Sequence, residues 1–468
     1  MFGRMRIILW HGYLLSGSGS NLYTANVARI WRAQGHDVLL MCQETKAGDF
    51  GFVDAHGDFD AGNENFHLVP TGAPVGAGRC RLVRPNIAGL LPVYVIDDYE
   101  GFVVKSFVDL DEAQLDHYWR SNSRALRTAI AHHRPDAIIT GHEVMGPYIA
   151  LDACRETGTS YLAKLHGSAL EYAVKVQERY RRFARQGLAG ARVVAGGSHY
   201  MIAAASAVVP GWEDRAVVVN PGCDVDLFAP FPQRPPGAPR VGYVGKLIAA
   251  KGVHHLLCAL TVASTSEMSA TIVGYGGYET GLRSLWDALR RGDLESLRAV
   301  AQSTADPLPE VAAWLDSGGF DATARARAAD REVTFAGRLD HGPLARVLPG
   351  FDVLVVPSVV AEAFGMVAAE AAACGVLPIV PAHSGIGEVG AALEAELERP
   401  GLLTYDPRRP IPGIAEALDE ILALPEETRR AFGLRAAALA RRRWSWDHVA
   451  DQLLSHAVSP ATGAGTQN

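Results

Sequence analysis

Nowhere in the 468 residues is there a run of about 18 apolar side chains, so no segment is expected to cross a bilayer as a helix. Positive charge is not in excess either. The 44 Lys and Arg residues against 51 Asp and Glu leave a net charge of -7, which argues against a nucleic-acid partner, whose phosphates need a basic face. The six cysteines (Cys42, Cys80, Cys154, Cys223, Cys258 and Cys374) form no C-x-x-C pair, and several lie in apolar runs, so they read as reduced structural thiols. The opening MFGRMRIILWHG runs straight into a strand and a glycine loop without the small-residue cleavage site of a signal peptide, so a cytoplasmic location is expected. Metal-ligand spacing is also lacking. His132-His133 and His254-His255 place neighbours on different helix faces with no third ligand in register, so no metal site is expected.

What the chain does have is length and an α/β composition, 48% apolar with 48 glycines, which implies two or three domains. Its most informative stretch is Phe351 to Val389. Phe351–Val356 is a short continuous apolar run ending at Pro357, the pattern of a strand buried on both faces of a parallel sheet. A polar loop follows, then an Ala-rich helix from about Gly365 to Gly375, then a second buried strand from Val376 to Val380. This is one βαβ unit. Glu362 in its loop and Glu370 in its helix, seven residues apart in between, are placed to look into the crevice above the carboxyl ends of the strands. Phe364, Gly365, Met366 and Val367 open the helix, where free amides can hold an anion. Carboxylates beside an anion site suit hydroxyl groups, and that combination suggests a nucleotide sugar.

The sequence PSVVAEAFGMVAAEAAACGVLP resembles the donor-site motif of the retaining glycosyltransferases of family four, with one extra residue before Glu362. The resemblance implies the GT-B fold: two Rossmann-like, doubly wound α/β domains facing across a cleft. It implies an enzyme that moves a sugar from a UDP- or GDP-linked donor to an acceptor with retention, without an obligatory metal. In the same register, HSGIGEV at His383–Val389 matches imperfectly a turn that closes over the sugar, and Lys246 and Lys251 stand where the family has Arg and Lys against the diphosphate. Lysine meets a phosphate as a point charge and not as a bidentate fork. The turn Gly337–Asp340, with Arg338, is implied beside the nucleobase.

The N-terminal half begins with a strand at Met5–Trp10, a glycine-rich loop and a helix from Leu22 to Ala33. Gly17-x-Gly19 before a helix, with Glu44 after the second strand, is also how a dinucleotide-binding fold starts, but Leu22 stands where that fingerprint needs its third glycine. By the family resemblance Gly19 approaches the donor phosphates and Asn21 and Tyr23 face the acceptor. His142 and Glu143 follow the strand Asp136–Thr140, and His166 follows the strand Thr159–Leu165; the resemblance puts His166 by the sugar. Residues 48–92 read as an elaborated loop region, and 285–330 as a helical insertion. The basic stretch Lys175–Arg185 reads as a solvated face, with peripheral membrane contact not favoured.

The expected organisation is an acceptor-side domain over 1–228, a proline-rich linker over 229–239, a donor domain over 240–440, a helix over 441–458 returning to the first domain and a disordered tail over 459–468. The acceptor is expected to be small and polar, such as a natural-product or antibiotic intermediate, since no broad aromatic groove is evident. Synthesis of cell-envelope or exopolysaccharide material, and epimerisation of a nucleotide sugar, are the alternatives.

Overall fold

The computed structural model describes residues 3–458 except 74, 97–98, 232–236, 266 and 304–305. Most of the proline cluster and all of the tail lie outside the described residues. The chain divides into two units, Met1–Pro221 with Trp446–Asn468, and Gly222–Ser445.

The strands of the first unit are β1 Arg6–Trp10, β2 Asp37–Met41, β3 Ala55–Asp58, β4 Val69–Pro70, β5 Arg79–Arg84, β6 Leu90–Val93, β7 Val103–Ser106, β8 Ala137–Gly141, β9 Leu162–Lys164, β10 Val193–Gly196 and β11 Ala216–Val218. Nine of them form a sheet in the order β11-β10-β9-β8-β1-β2-β5-β3-β4, parallel except for β4; β6 and β7 pair separately. Ile7, Ile8, Val38 and Leu40 are fully buried, as a parallel sheet covered on both faces requires. The helices are α1 Gly19–Ala33, α2 Glu112–His133, α3 Gly146–Thr157, α4 Glu178–Gly190 and α5 His199–Val208. Ser18 caps α1 by accepting from the Asn21 amide, and Asp111 with Gln114 forms a capping box on α2.

In the second unit β12 Arg240–Val244, β13 Ser269–Val273, β14 Glu332–Gly337, β15 Val353–Val355, β16 Leu377–Pro381 and β17 Thr404–Tyr405 form an all-parallel sheet in the order β14-β13-β12-β15-β16-β17. Its helices are α6 Val253–Val262, α7 Glu279–Arg291, α8 Leu294–Ala301, α9 Pro309–Asp316, α10 Ala322–Asp330, α11 His341–Val347, α12 Met366–Ala373, α13 Ser384–Leu397, α14 Pro410–Ala423 and α15 Glu426–Trp444. The last helix, α16 Trp446–Val458, belongs to the first unit. It packs on α1, where the buried Trp31 indole donates to Ala450 O at 3.1 Å and Gln34 donates to Asp451 at 2.8 Å.

Several details differ from the sequence reading. The first unit ends at Pro221, not 228, because Cys223, Val225 and Phe228 are buried in the core of the second, and the Cys223 amide donates to Trp444 O at 2.7 Å. Arg441–Trp444 finishes α15, and the break falls at Ser445, whose backbone is extended. Residues 48–92 hold three strands of the large sheet. Their pattern is obscured in β5 by arginines that the fold neutralises, Arg81 with Asp37 and Arg84 with Asp58. The insertion lies in α7–α10, whose Leu289, Leu297, Val311 and Leu315 join the core of their unit. In the basic stretch, Arg179 donates to Val108 O and Leu110 O and Arg181 pairs with Glu178, so these charges are engaged locally. Among the described residues no helix is long and apolar enough to cross a membrane.

Candidate functional site

In each of the two large sheets the strand order reverses beside the first strand of the unit, and there the loops leaving adjacent strands diverge and open a crevice at their carboxyl ends. In the second unit the reversal lies between β12 and β15. The loop after β12 carries Lys246 and Lys251, and the loop after β15 carries Ser358 and Glu362. The two loops are joined by the Val359 amide donating to Ala250 O at 3.0 Å. Lys251 Nζ lies 2.8 Å from Glu362 Oε1, which also accepts from Ser358 Oγ. The Glu362 amide donates to Ser384 Oγ at 3.0 Å, and the Gly385 amide donates back to Glu362 O at 2.9 Å. HSGIGEV is therefore not a turn: Ser384 onward is the first part of α13, and it braces the Glu362 loop.

Gly365 caps α12 with φ 108°, and a Cβ there would come within 2.7 Å of Ile386 Cγ1, so glycine lets the loop turn directly into the helix. The amides of Met366 and Val367, in the first turn, have no acceptor within the helix and can face an anion. Phe364 is buried against Trp444 and holds this turn from behind. Glu370, one turn inside α12, is 7% exposed, and burial pushes its carboxyl up to about 8. His341 Nε2 lies 3.9 Å from its Oε1. Lys246 is exposed at the end of β12. Arg338, after β14, lies with its guanidinium 5.2 Å from the ring centre of Tyr275, a half-exposed aromatic after β13 that sequence reasoning did not single out. Its signal was the strand-glycine step VGYGG.

Gly252 shows how tightly these loops are drawn together. It has φ 70°, and a Cβ would sit 1.9 Å from Pro357 O at the end of β15. Gly252→Ala is expected to cost about 1–3 kcal/mol of stability and to displace Lys251, raising KM for the donor. A denaturation midpoint equal to that of the unaltered chain would show that the two loops are not held together in this way.

In the first unit the reversal lies between β1 and β8. β1, β8 and β9 are neighbours, and each delivers a histidine at its carboxyl end: His11, His142 and His166. The ring centres lie 5.9 Å apart for His11 and His142 and 4.9 Å for His142 and His166. Burial holds His11 down to about 4 and the other two well below the ordinary histidine range, with the nearby basic side chains of His142, Lys164 and His11 adding to the effect on His166. All three are therefore neutral near pH 7 and able to donate or accept a hydrogen bond. A pocket of about 90 Å³ opens here, lined by Tyr13, Ser20, Asn21, Tyr94, Tyr99 and His142 among others. Among the described residues, both ring nitrogens of His142 are buried without a hydrogen-bond partner.

The other residues expected here have different roles. The Asn21 amide is spent inside the fold, with Oδ1 2.9 Å from His11 Nε2 and Nδ2 donating to Ser16 O at 2.5 Å, so it shapes the loop more than it offers hydrogen bonds. Tyr23 and Glu143 do not line the pocket. The Tyr23 ring packs on His166 and Trp446, and Glu143 Oε1 accepts from the Gly167 amide at 2.8 Å, fixing the turn that carries His166. Gly19 is exposed as the first residue of α1. Lys164, unsuspected from sequence, is buried with Nζ donating to Val219 O at 2.8 Å, and burial lowers its ammonium to about 7. His11 was missed although it makes the same strand-His-Gly step as His166.

Residues 18–222 match the family described as Glycosyl transferase 4-like domain, and residues 319–438 match Glycosyl transferases group 1. The chain belongs to the family-four type of glycosyltransferases. Its fold is the two-domain GT-B fold. It is similar over 97% of its length to the sucrose-phosphate synthase of Thermosynechococcus elongatus, with a TM-score of 0.59, 19% identity and 98% of that chain covered. It is likewise similar over 97% of its length to the Anabaena protein HepE solved with UDP and glucose, with a TM-score of 0.57, 14% identity and 99% of that chain covered. Among curated relatives, the D-inositol 3-phosphate glycosyltransferase of Mycobacterium tuberculosis H37Rv is 29% identical over 250 residues, 52% of this chain and 43% of that protein. The chain thus aligns with less than half the length of the curated relatives it matches.

Proposed function

We propose that this protein transfers a sugar, with retention of configuration, from a nucleoside diphosphate sugar to a small polar acceptor. The observation that carries the reading is the switch point of the second unit, where Lys251, Glu362 and the start of α12 converge. Lys246, Lys251 and the amides of Met366 and Val367 supply the positive potential a departing diphosphate needs, without a metal ion. Glu370 accepts from ribose hydroxyls and Glu362 from a hydroxyl of the donor sugar. Arg338 and Tyr275 offer a cation and a ring face for the base.

The acceptor reading rests on the first unit. Its pocket combines tyrosine ring faces with the unpartnered nitrogens of His142, a surface suited to a hydroxyl-rich ring and too small for a lipid chain. The likeness to an inositol phosphate glycosyltransferase supports a cyclitol-like acceptor, and a natural-product intermediate of that kind fits the same chemistry. His166 is assigned beside the reacting sugar, with Glu143 holding it in place through the Gly167 amide.

The test incubates the purified protein with labelled UDP- and GDP-hexoses and a panel of cyclitols, aminocyclitols, lipid-linked sugars and polysaccharides, with and without EDTA. A glycosylated cyclitol of unchanged anomeric configuration, formed equally fast in EDTA over a short assay, is expected. Transfer to lipid-linked or polymeric acceptors alone would refute the acceptor, epimerised donor without transfer would refute the reaction, and loss of turnover in EDTA restored by Mn²⁺ would refute the metal-free diphosphate site.

A further inference from the structure

The expectation that His254 and His255 lack a third ligand does not hold once the chain is folded. Helix α6 starts at Val253 and turns both imidazoles inward, where they are 2% and 3% exposed. The inserted helix α9 brings Glu310 to them. One ligand atom from each of the three residues lies within 4.8 Å of the other two, the ring centres of the histidines are 4.2 Å apart, and His255 Nε2 is 3.7 Å from Glu310 Oε2. Among the described residues no other such trio occurs.

We infer that His254, His255 and Glu310 bind a single transition-metal dication, Zn²⁺ by the chemistry of the donors, which ties the inserted helices to α6. The polar atoms at the centre of the group demand some partner. Among the described residues, His254 Nδ1 and both nitrogens of His255 are buried with no hydrogen-bond partner, a state that costs about 1–3 kcal/mol per group. The 3.7 Å separation from Glu310 is too long for a hydrogen bond. It is close to the spacing of two ligands on one tetrahedral ion, which at bond lengths of about 2.0–2.1 Å stand roughly 3.4 Å apart. A closure of a few tenths of an ångström brings His255 and Glu310 to that spacing, and the ligand atom of His254, within 4.8 Å of both, moves in with them.

Two imidazoles and a carboxylate are the donors of zinc and its transition-metal neighbours, not of magnesium or calcium, which prefer oxygen alone. Access is present as well. Glu310 lines an open pocket of about 410 Å³ together with Trp314, Arg408, Arg409 and Pro410, so the group is reached from the glutamate side. The two arginines are paired, Arg408 with Asp406 and Arg409 with Glu416, so their charges are offset.

The position suggests what the ion does. α6 begins directly after Lys251 and Gly252, so a clamp between α6 and α9 makes the insertion a brace for the helix behind the lysine loop. The ion is structural, and this inference stands whether or not the proposed transfer reaction is correct.

The experiment uses the untagged full-length protein stripped with a chelator, titrated with Zn²⁺ against a chromophoric competitor and separately with Co²⁺. One Zn²⁺ per chain is expected, with a rise in melting temperature on binding and the visible absorption of tetrahedral Co²⁺. Glu310→Gln, on a side chain about one-third exposed and therefore tolerated by the fold, should weaken Zn²⁺ binding by at least about 100-fold and abolish the thermal shift; His255→Gln should do the same. Binding of equal strength in the unaltered chain and in Glu310→Gln, or no stoichiometric uptake at all, would overturn the inference and leave a histidine-glutamate pair.

Discussion

Lys251→Ala is expected to lower kcat/KM by about 10²–10³-fold, the loss seen when one preorganised electrostatic contact to a developing negative charge is removed. Lys251 is placed for this role by Gly252, whose positive φ lets the loop end against β15, and by the 2.8 Å contact with Glu362. That contact also changes what a glutamate substitution reports. Glu362→Gln should leave nucleotide affinity nearly intact and lower turnover, but part of its effect must pass through a lysine that has lost its partner. The double variant is therefore expected to cost much less than the product of the two single losses. Steady-state kinetics of the four proteins, with nucleotide affinity by calorimetry, measures this; multiplicative losses would mean that the pair does not act as a unit.

Glu370→Gln is expected to do two opposite things. Burial raises the folded-state carboxyl to about 8 from an ordinary 4.5, so the unfolded chain ionises this group first as pH rises. The group's stabilising contribution is complete below pH 4.5 and is lost progressively toward pH 8. Glutamine has no proton to lose. The variant should melt at nearly the same temperature as the unaltered chain at pH 4.5 and at a higher one at pH 8, in the absence of nucleotide. It should also bind UDP or GDP about 10–100-fold more weakly, because a hydrogen bond to an ionised acceptor is worth about 1.5–3 kcal/mol. If ribose hydroxyls stabilise the ionised carboxylate, nucleotide binding at neutral pH releases a proton, visible as a binding enthalpy that varies with the buffer in the parent and not in the variant. Unchanged nucleotide affinity in Glu370→Gln would remove Glu370 from the donor site.

The donor half of the candidate site was legible because its information is local. Strand, loop and helix follow one another between Phe351 and Gly375, and Glu362, Gly365 and Glu370 keep their relations through the geometry of one βαβ unit. The acceptor half was only partly legible. His142 and His166 were recognisable as strand-end residues, but their meeting with His11 depends on β1, β8 and β9 lying side by side, which no short stretch of sequence states. Asn21 illustrates the converse: an amide in the right loop is consumed by His11 and Ser16.

The sequence by itself determined the two-domain α/β architecture and which charged groups stand at the strand ends of the candidate donor site, since buried strands, glycine turns and helix starts are set by neighbours a few residues apart. Tertiary structure alone decided which of those groups touch, and how far burial moves their protonation. Lys251 and Glu362 are 111 positions apart yet form one ion pair, and Glu370 is raised to about 8 only because packing removes it from water. Glu310 meets His254 and His255 for the same reason: a sheet places distant loops and helices together by strand order, and sequence separation carries no trace of that order.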